Sequence, residues 1–223
     1  MSSYSERYLD PDQARRYPDK FQRSWLRRAS NRWEHGLVRR AVRRARICLG
    51  GNPMPRLLDF PCGTGRFAPL LASLAGSYLA ADHSGEMLKL CRSQLARAGF
   101  MERSAGFVEG DARNMPLMDD SVDLACCIRL LHHFKDPGER RAIVREFRRV
   151  STGPLVLSFL DGESMKQWTH ARAAELAGEE NRRAVLSRAE LSREAEDVGY
   201  RLLRTWSVSG LFSGQTIALL DPW

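Results

Sequence analysis

The sequence predicts an α/β fold with a doubly wound, seven-stranded and mostly parallel sheet. Short apolar runs alternate with helical periodicities from residue 56 onward, as expected when each strand is followed by a helix. A glycine-rich turn separates the first strand from its helix. The last two apolar runs are joined by a short turn alone, which predicts a C-terminal β-hairpin with one antiparallel strand at the edge of the sheet.

Each element follows from the spacing of its apolar residues. Strands are predicted at residues 56–60, 77–82, 106–109, 122–128, 155–160, 201–208 and 215–220. Helices are predicted at residues 31–49, 66–75, 84–98, 137–150 and 187–198. Asn31 is expected to cap the first of these helices and Ser84 the third, because both side chains can accept a hydrogen bond from a backbone N–H at a helix start.

The chain divides into two parts. Residues 1–50 form a basic helical arm or lid, and residues 51–223 form the main domain. Within that domain, residues 162–185 are polar with helical spacing, so we expect a helical insertion that could cover a substrate.

Composition excludes several classes of protein. The 223 residues are 43% hydrophobic and 28% charged, which is ordinary for a globular domain. Because no apolar run nears the roughly 20 residues of a membrane span and the start lacks the apolar core of a secretion signal, we expect a cytoplasmic protein. Five cysteines without a CxxC pair predict reduced thiols and no metal site.

Positive charge is concentrated near the start of the chain. The net charge is +8, and residues 15–46 hold 12 Arg or Lys against two acids, Asp19 and Glu34. Such a segment could be a solvated helix face, could bind the anionic inner face of a membrane peripherally, or could bind RNA. The membrane is favoured over RNA, and the arm could also support a homodimer.

The glycine loop carries the strongest functional signal. Gly63 and Gly65 allow a ligand close to the backbone. Asp59, just before them, would repel a pyrophosphate and attract an ammonium or sulfonium group. Asp82 ends the next strand, 19 residues after Gly63, where ribose hydroxyls bind in such folds. Asp111 could accept a hydrogen bond from an adenine amino group, while the backbone N–H of the next residue donates to the ring.

Four motifs in this order resemble the class I S-adenosylmethionine-dependent methyltransferases, in particular their small-molecule branch of quinone-biosynthesis type. The motifs are LLDFPCGTGRF at 57–67, ADHSGEML at 81–88, GDARNMPL at 110–117 and SVDLACCIRLLHHF at 121–134. The resemblance implies a Rossmann-like methyltransferase domain over residues 51–223. It also implies S-adenosylmethionine as the cofactor.

The resemblance implies a role for each matching position. Asp59, Gly63 and Gly65 would surround the methionine moiety of the cofactor, and Asp82 would bind its ribose. The remaining cofactor contacts would come from His83 and Met87 on the adenine faces, Asp111 and Ala112 on the adenine edge, and the Ile128 carbonyl on the ammonium group.

His132 and His133 are the candidate catalytic residues, because they follow the fourth strand, where the acceptor pocket of this family opens. An oxygen acceptor benefits from a general base, and histidine is the usual one. Adjacent residues are expected to face opposite ways, so one of the two should face the pocket. Arg129, Asp161 and Tyr17 are further candidates for substrate contact.

The predicted function is transfer of a methyl group from S-adenosylmethionine to a small or lipid-linked acceptor, at oxygen. An RNA methyltransferase that uses the basic N-terminal helix is an alternative, and so is a binding module without turnover. An NAD-dependent dehydrogenase is the rival on the same fold, and Asp59 beside the glycine loop disfavours it. The identity of the acceptor stays open at this point.

Overall fold

A single seven-stranded sheet organises the protein. The computed structural model describes residues 25–51, 54–164, 169, 183–209 and 213–223. The strands are β1 (Arg56–Asp59), β2 (Ser77–Asp82), β3 (Ser104–Glu109), β4 (Leu124–Cys127), β5 (Leu155–Leu160), β6 (Tyr200–Ser209) and β7 (Ser213–Pro222). The α-helices of the described part are α1 (Trp25–Cys48), α2 (Ala68–Leu74), α3 (Gly85–Arg97), α4 (Pro137–Val150) and α5 (Arg188–Glu196).

The strand order, β3-β2-β1-β4-β5-β7-β6, confirms the predicted fold class. The chain builds outward from β1 to β3 and then returns to place β4 on the other side of β1. This reversal opens a crevice at the carboxyl ends of β1 and β4, where open α/β sheets bind their ligands. The terminal hairpin is present as predicted, since β7 runs antiparallel to both β5 and β6.

Helices cover both faces of the sheet because successive strand residues point to opposite sides. Leu57 packs into one core with residues of α1, α2 and α3, whereas Leu58 packs into a second core with residues of α4 and α5. Helix α1 belongs to the first core through a fully buried apolar stripe of Val38, Ala41, Val42 and Ala45.

Most element boundaries agree with prediction, and the differences have local causes. Ser84 caps α3, its side chain accepting from the Met87 N–H at 3.4 Å. Asn31 caps no helix, because α1 begins at Trp25 and Asn31 lies inside it. Strand β4 is shorter than predicted, because Val122 forms only an isolated bridge with Ser151 and Arg129 turns the chain with φ 65°.

Several predictions fall outside the described residues. The residues concerned include Tyr17 of the arm and most of the predicted 162–185 insertion. Their proposed lid functions therefore stay predictions. Among the helices that the structure describes, none is long and apolar enough to cross a membrane.

Candidate active site

A cavity of about 380 Å³ opens at the carboxyl ends of β1, β2 and β4. Its wall joins the glycine loop, the turn after β2, the turn after β3 and the segment after β4. Predicted site residues that lie in this wall are Gly63, Asp82, His83, Met87, Asp111, Ala112, Ile128, Arg129, His132 and His133. The topology thus brings together residues that span 70 positions of the sequence.

Gly63 and Gly65 differ in what surrounds them in the loop. Gly63 lies in the cavity wall with φ +54°, and a Cβ atom there would meet nothing within 4 Å. Gly65 has φ +80°, and its Cβ atom would lie 2.7 Å from the Cα atom of Cys91 in α3. Gly65 was predicted to touch the ligand. It is absent from the cavity wall, and its close packing on α3 requires a glycine. Its contact with the cofactor stays a prediction.

Asp59 also lies elsewhere than predicted. Its side chain is 1% exposed and forms no part of the cavity wall. It lies beneath the loop and accepts a 2.8 Å hydrogen bond from the Tyr78 hydroxyl. Burial raises its pKa to about 7, so the carboxyl group is not the fixed negative charge that the sequence argument assumed. Contact of Asp59 with the cofactor stays a prediction.

Asp82 accepts hydrogen bonds from two loops of the cavity wall. One carboxylate oxygen accepts from the Gly63 N–H at 2.8 Å, and the other accepts from the Ser84 N–H at 3.0 Å. Burial raises the pKa of this carboxyl group, although these backbone hydrogen bonds oppose the change. The carboxylate therefore fixes the shape of the cavity where the ribose was predicted.

Asp111 is oriented by Arg113, its neighbour in the turn after β3. The Arg113 side chain donates to both carboxylate oxygens, with Nη2 at 2.7 Å from Oδ2, and these hydrogen bonds lower the pKa of Asp111. Arg113 is held in turn by Glu139 at 2.9 Å. Asp111 is thus an ionised acceptor in a fixed position at the cavity wall.

Both histidines face the cavity, which corrects the expectation that only one would. Residues Leu131–His133 form a 3₁₀ turn rather than an extended strand, so neighbouring side chains need not point to opposite sides. The two ring centroids lie 4.0 Å apart. Burial, with the positive charges of Arg183 and Arg129, lowers the pKa of His133 to about 4. Burial and the charges of His133, Arg183 and Arg129 lower that of His132 to about 2.

Arginine residues form the wall beside the histidines. Arg129 Nε and Nη2 lie 3.0 and 2.9 Å from the two carboxylate oxygens of Glu34, a buried residue of α1. Arg66 Nη2, from the glycine loop, contacts the same carboxylate at 2.6 Å. Burial alone would raise the pKa of Glu34, but the two arginines lower it below its usual value. Helix α1 is thereby fixed to the wall of the cavity.

Comparison with known proteins agrees with this geometry. Residues 57–152 match the methyltransferase domain family. The demethylmenaquinone methyltransferase of Thermotoga maritima is 32% identical over 55% of this chain and 51% of its own length. The malonyl-[acyl-carrier protein] O-methyltransferase of Methylococcus capsulatus is 42% identical over 33% of this chain and 26% of its own length. The chain spans about half or less of these curated relatives.

A solved structure extends the likeness to the whole fold. Magnesium protoporphyrin IX methyltransferase from Synechocystis PCC 6803, crystallised with bound S-adenosylhomocysteine, superposes with a TM-score of 0.79 over 97% of both chains, at 17% identity. Residues 57–152 are thus similar to a methyltransferase domain, and the fold of the chain is similar to that of the Synechocystis enzyme. The resemblance drawn from the four sequence motifs is thus confirmed.

One predicted substrate residue, Asp161, lies away from the cavity. Asp161 is 1% exposed, and its carboxylate accepts from Arg188 Nε at 3.1 Å, Thr216 Oγ1 at 3.2 Å and the Glu163 N–H at 3.0 Å. Its place at the end of β5 suggested the pocket, but the side chain anchors the start of α5 instead. Tyr17 lies outside the described residues.

Residues of the site that were missed include Arg66, Arg113, Arg183 and Glu34. Arg66 directly follows the glycine loop, and Glu34 is one of only two acids in the basic segment 15–46. An isolated acid among arginines on a helix indicates an internal ion pair. This signal could have identified Glu34 from the sequence. Among the described residues, no group of three or more His, Cys, Asp or Glu side chains could hold a metal ion.

Proposed function

We propose that this methyltransferase domain transfers the methyl group of S-adenosylmethionine to an oxygen atom of a small or lipid-linked acceptor. The observation that carries the proposal is the composition of one cavity. One wall includes the glycine loop, Asp82 and Asp111 together with the histidine pair and Arg129. A donor and an acceptor could therefore meet within this cavity.

Residues of the glycine loop and of the turns after β2 and β3 fit the cofactor. The open side of Gly63 leaves room for the methionine moiety. His83 and Met87 offer surfaces for the adenine ring, and Asp111 with the Ala112 N–H offers an acceptor and a donor for its edge. The bound cofactor supplies an activated methyl group, and the protein mainly has to position the acceptor in line with it.

The histidines are suited to positioning a polar acceptor. Since their pKa values lie well below neutrality, both rings are uncharged at pH 7. An uncharged imidazole has one nitrogen that donates a hydrogen bond and one that accepts it. His133 is the less buried of the two and is the better placed for contact with the acceptor, while His132 supports its ring.

The relatives' names are compatible with a small or carrier-linked acceptor. The matched proteins are named for demethylmenaquinone and for a malonyl group on acyl-carrier protein. We infer the acceptor class from these names together with the size of the cavity, which is within the range of small-molecule sites.

The outer face of α1 supports an acceptor presented at a membrane. Arg39, Arg40, Arg43 and Arg44 are exposed on this face. Trp33 and Ile47 are each 61% exposed on the same side of the helix. Arginines beside exposed apolar side chains are typical of helices that lie on an anionic lipid surface. We refer to these six residues as the basic face.

Calorimetry tests the function directly. We would titrate S-adenosylmethionine, S-adenosylhomocysteine and NAD into the wild type and into Asp82→Asn. Asp123→Asn is a matched control, because Asp123 lies outside the cavity and pairs with Arg56. We expect micromolar binding of the first two ligands, weakened at least tenfold by Asp82→Asn alone. Absence of binding, or binding of NAD instead, would contradict the proposal.

A further inference from the structure

The carboxylate of Asp111 in the cavity wall is held by one neighbouring residue. Its oxygens accept from the Arg113 backbone N–H at 2.9 Å, from Nη2 at 2.7 Å, and from Nε at 3.1 Å to each oxygen. Both oxygens are thus bound by Arg113. Because the guanidinium group is planar and its N–H groups have fixed directions, a contact of this kind restricts the carboxylate to one orientation.

Arg113 is itself fixed by further contacts. Its Nη1 donates to Glu139, in the first turn of α4, at 2.9 Å. Its guanidinium carbon lies 5.8 Å from the centre of the Phe134 ring, which is a favourable position for a cation over an aromatic face. An arginine that is anchored in this way can hold a carboxylate in position before any ligand arrives, so less conformational freedom has to be lost on binding.

Helix α4 also fixes the rest of the turn after β3. The Met115 N–H donates to Glu146 at 2.7 Å, and Arg149 donates to the carbonyls of Met115 and Leu117 at 3.0 and 2.7 Å. Glu146 and Arg149 also form an ion pair with each other at 2.7 Å. The turn is therefore attached to a helix of the main domain, which limits the movement of Asp111.

Asp111 has acceptor capacity left for a ligand. An ionised carboxylate offers about four acceptor positions, and Arg113 fills most of them with its backbone N–H, its Nη2 and an Nε–H that is shared between the two oxygens. The Asp111 side chain is 38% exposed and lies in the cavity wall. The hydrogen bonds from Arg113 also lower its pKa, so the group stays an acceptor at neutral pH.

We propose that Arg113 is a positioning residue that makes the cofactor site selective for adenine over bases with an oxygen atom in place of the amino group. The proposal rests on the proposed function, in which Asp111 accepts a hydrogen bond from that amino group. A carboxylate that is fixed and ionised repels a carbonyl oxygen at the same place, whereas a mobile carboxyl group could turn away from it. Sites that are built to bind an N–H group in this way reject analogues that lack it.

A purely structural role for Arg113 predicts a different result. Its loss would then lower the affinity of the cavity for every ligand by the same factor. The ratio of the affinities for two ligands that differ only at the amino group would stay constant. This ratio is therefore the quantity that distinguishes the two roles.

Calorimetry with the demethylated cofactor and its deaminated analogue measures the ratio. S-adenosylhomocysteine and S-inosylhomocysteine would be titrated into the wild type, Arg113→Met and Arg56→Met. We expect S-adenosylhomocysteine to bind about 100-fold more tightly to the wild type and to Arg56→Met, and about tenfold or less to Arg113→Met. Arg56→Met is the matched control, because Arg56 holds Asp123 in the same way, through its backbone N–H and its guanidinium group, outside the cavity.

Two further variants test the same contacts if Arg113→Met does not fold. Asp111→Asn should lower the ratio at least as far as Arg113→Met, because an amide can turn its NH₂ group toward an oxygen atom. Glu139→Ala should lower it less, because Asp111 keeps its hydrogen bonds from Arg113. Circular dichroism of each variant establishes that the fold is intact. A full ratio in folded Arg113→Met, or in Asp111→Asn, would overturn the proposal.

The outcomes separate this proposal from the proposed function. If the wild type binds S-adenosylhomocysteine but does not discriminate against S-inosylhomocysteine, the selectivity assigned to Arg113 is wrong and the methyltransferase function stands. If the wild type binds neither ligand, the proposed function is wrong, and the assignment of Arg113 is wrong with it.

Discussion

Tyr78 donates a 2.8 Å hydrogen bond to Asp59 beneath the glycine loop, between two neighbouring strands. Both side chains are almost fully shielded from solvent. The pairing explains why an acidic residue is tolerated in the core of the domain. One hydrogen bond and a pKa raised to about 7 by burial allow the carboxyl group to be protonated near neutral pH.

Asp59→Asn should therefore change the pH dependence of stability. The folded-state pKa of Asp59 lies above its unfolded value, so its stabilising contribution is complete below about pH 4 and is lost as the pH rises to 7. Between pH 5 and pH 8 the variant should gain about 2 to 3 kcal/mol in free energy of unfolding relative to the wild type. Urea unfolding at both pH values measures this. Parallel profiles of the two proteins would contradict it.

His132→Leu should have the opposite effect. The folded-state pKa of His132 is about 2, below its unfolded value, so its contribution to stability is present above about pH 6.5 and is lost as the pH falls. The loss of stability between pH 7.5 and pH 4.5 should be smaller in the variant by about 2 to 3 kcal/mol. Chemical unfolding at the two pH values checks this, and an unchanged loss would argue against a neutral buried ring.

Gly65→Ala and Gly63→Ala should differ although both glycines have positive φ. At Gly63 only the backbone conformation costs free energy, about 1 to 2 kcal/mol. At Gly65 the new Cβ atom also meets the Cα atom of Cys91 at 2.7 Å. We expect Gly65→Ala to lower the free energy of unfolding at least twice as much. Equal losses would show that the loop does not need its close approach to α3.

Arg140→Met should destabilise the protein by about 3 kcal/mol, because it breaks a buried ion pair and leaves Glu194 without that charge. Arg140 Nη1 also donates to the Phe134 and Lys135 carbonyls at 3.0 and 2.7 Å, directly after the histidine pair. Arg141→Met is the control, since its pair with Asp197 is more exposed and 3.8 Å long. Thermal unfolding of the two variants measures the loss of stability in each. Similar losses would contradict the claim that burial makes the Arg140–Glu194 pair important.

Replacement of all four arginines of the basic face by glutamine should abolish sedimentation with vesicles of phosphatidylglycerol and phosphatidylcholine. The reason is that each basic side chain contributes about 1 kcal/mol at an anionic surface. The matched control replaces four other exposed arginines, Arg92, Arg97, Arg145 and Arg193. Binding to RNA rather than to vesicles, lost in the same variant, would favour the RNA methyltransferase alternative.

The sequence predicted the fold well because apolar spacing and turn residues act locally. The bounds of β2, α4 and β5 agree with prediction, and the hairpin follows from the short turn between its strands. The motifs also located most of the cavity wall, since strand ends meet at one edge of the sheet. Local patterns were sufficient wherever the backbone alone determined the position of a residue.

The errors concern side-chain direction and distant pairs. The orientation of Asp59 depends on Tyr78, which lies in another strand, and that contact has no local signature. His132 and His133 were expected to face opposite ways, whereas they lie in a 3₁₀ turn and both line the cavity. The contact of Glu34 with Arg129 joins residues 95 positions apart, so neither periodicity nor capping could identify it.

The buried stripe of α1 limits where this protein can be cut into fragments that still fold. Sequence similarity to the methyltransferase domain family begins at residue 57, yet a fragment cut at that boundary would leave one side of the sheet uncovered where Val38, Ala41, Val42 and Ala45 now pack. The same cut would remove the carboxylate that holds two arginines of the cavity. The unit of folding is longer than the unit of similarity, and expression of an active fragment has to include the helix that precedes the first strand.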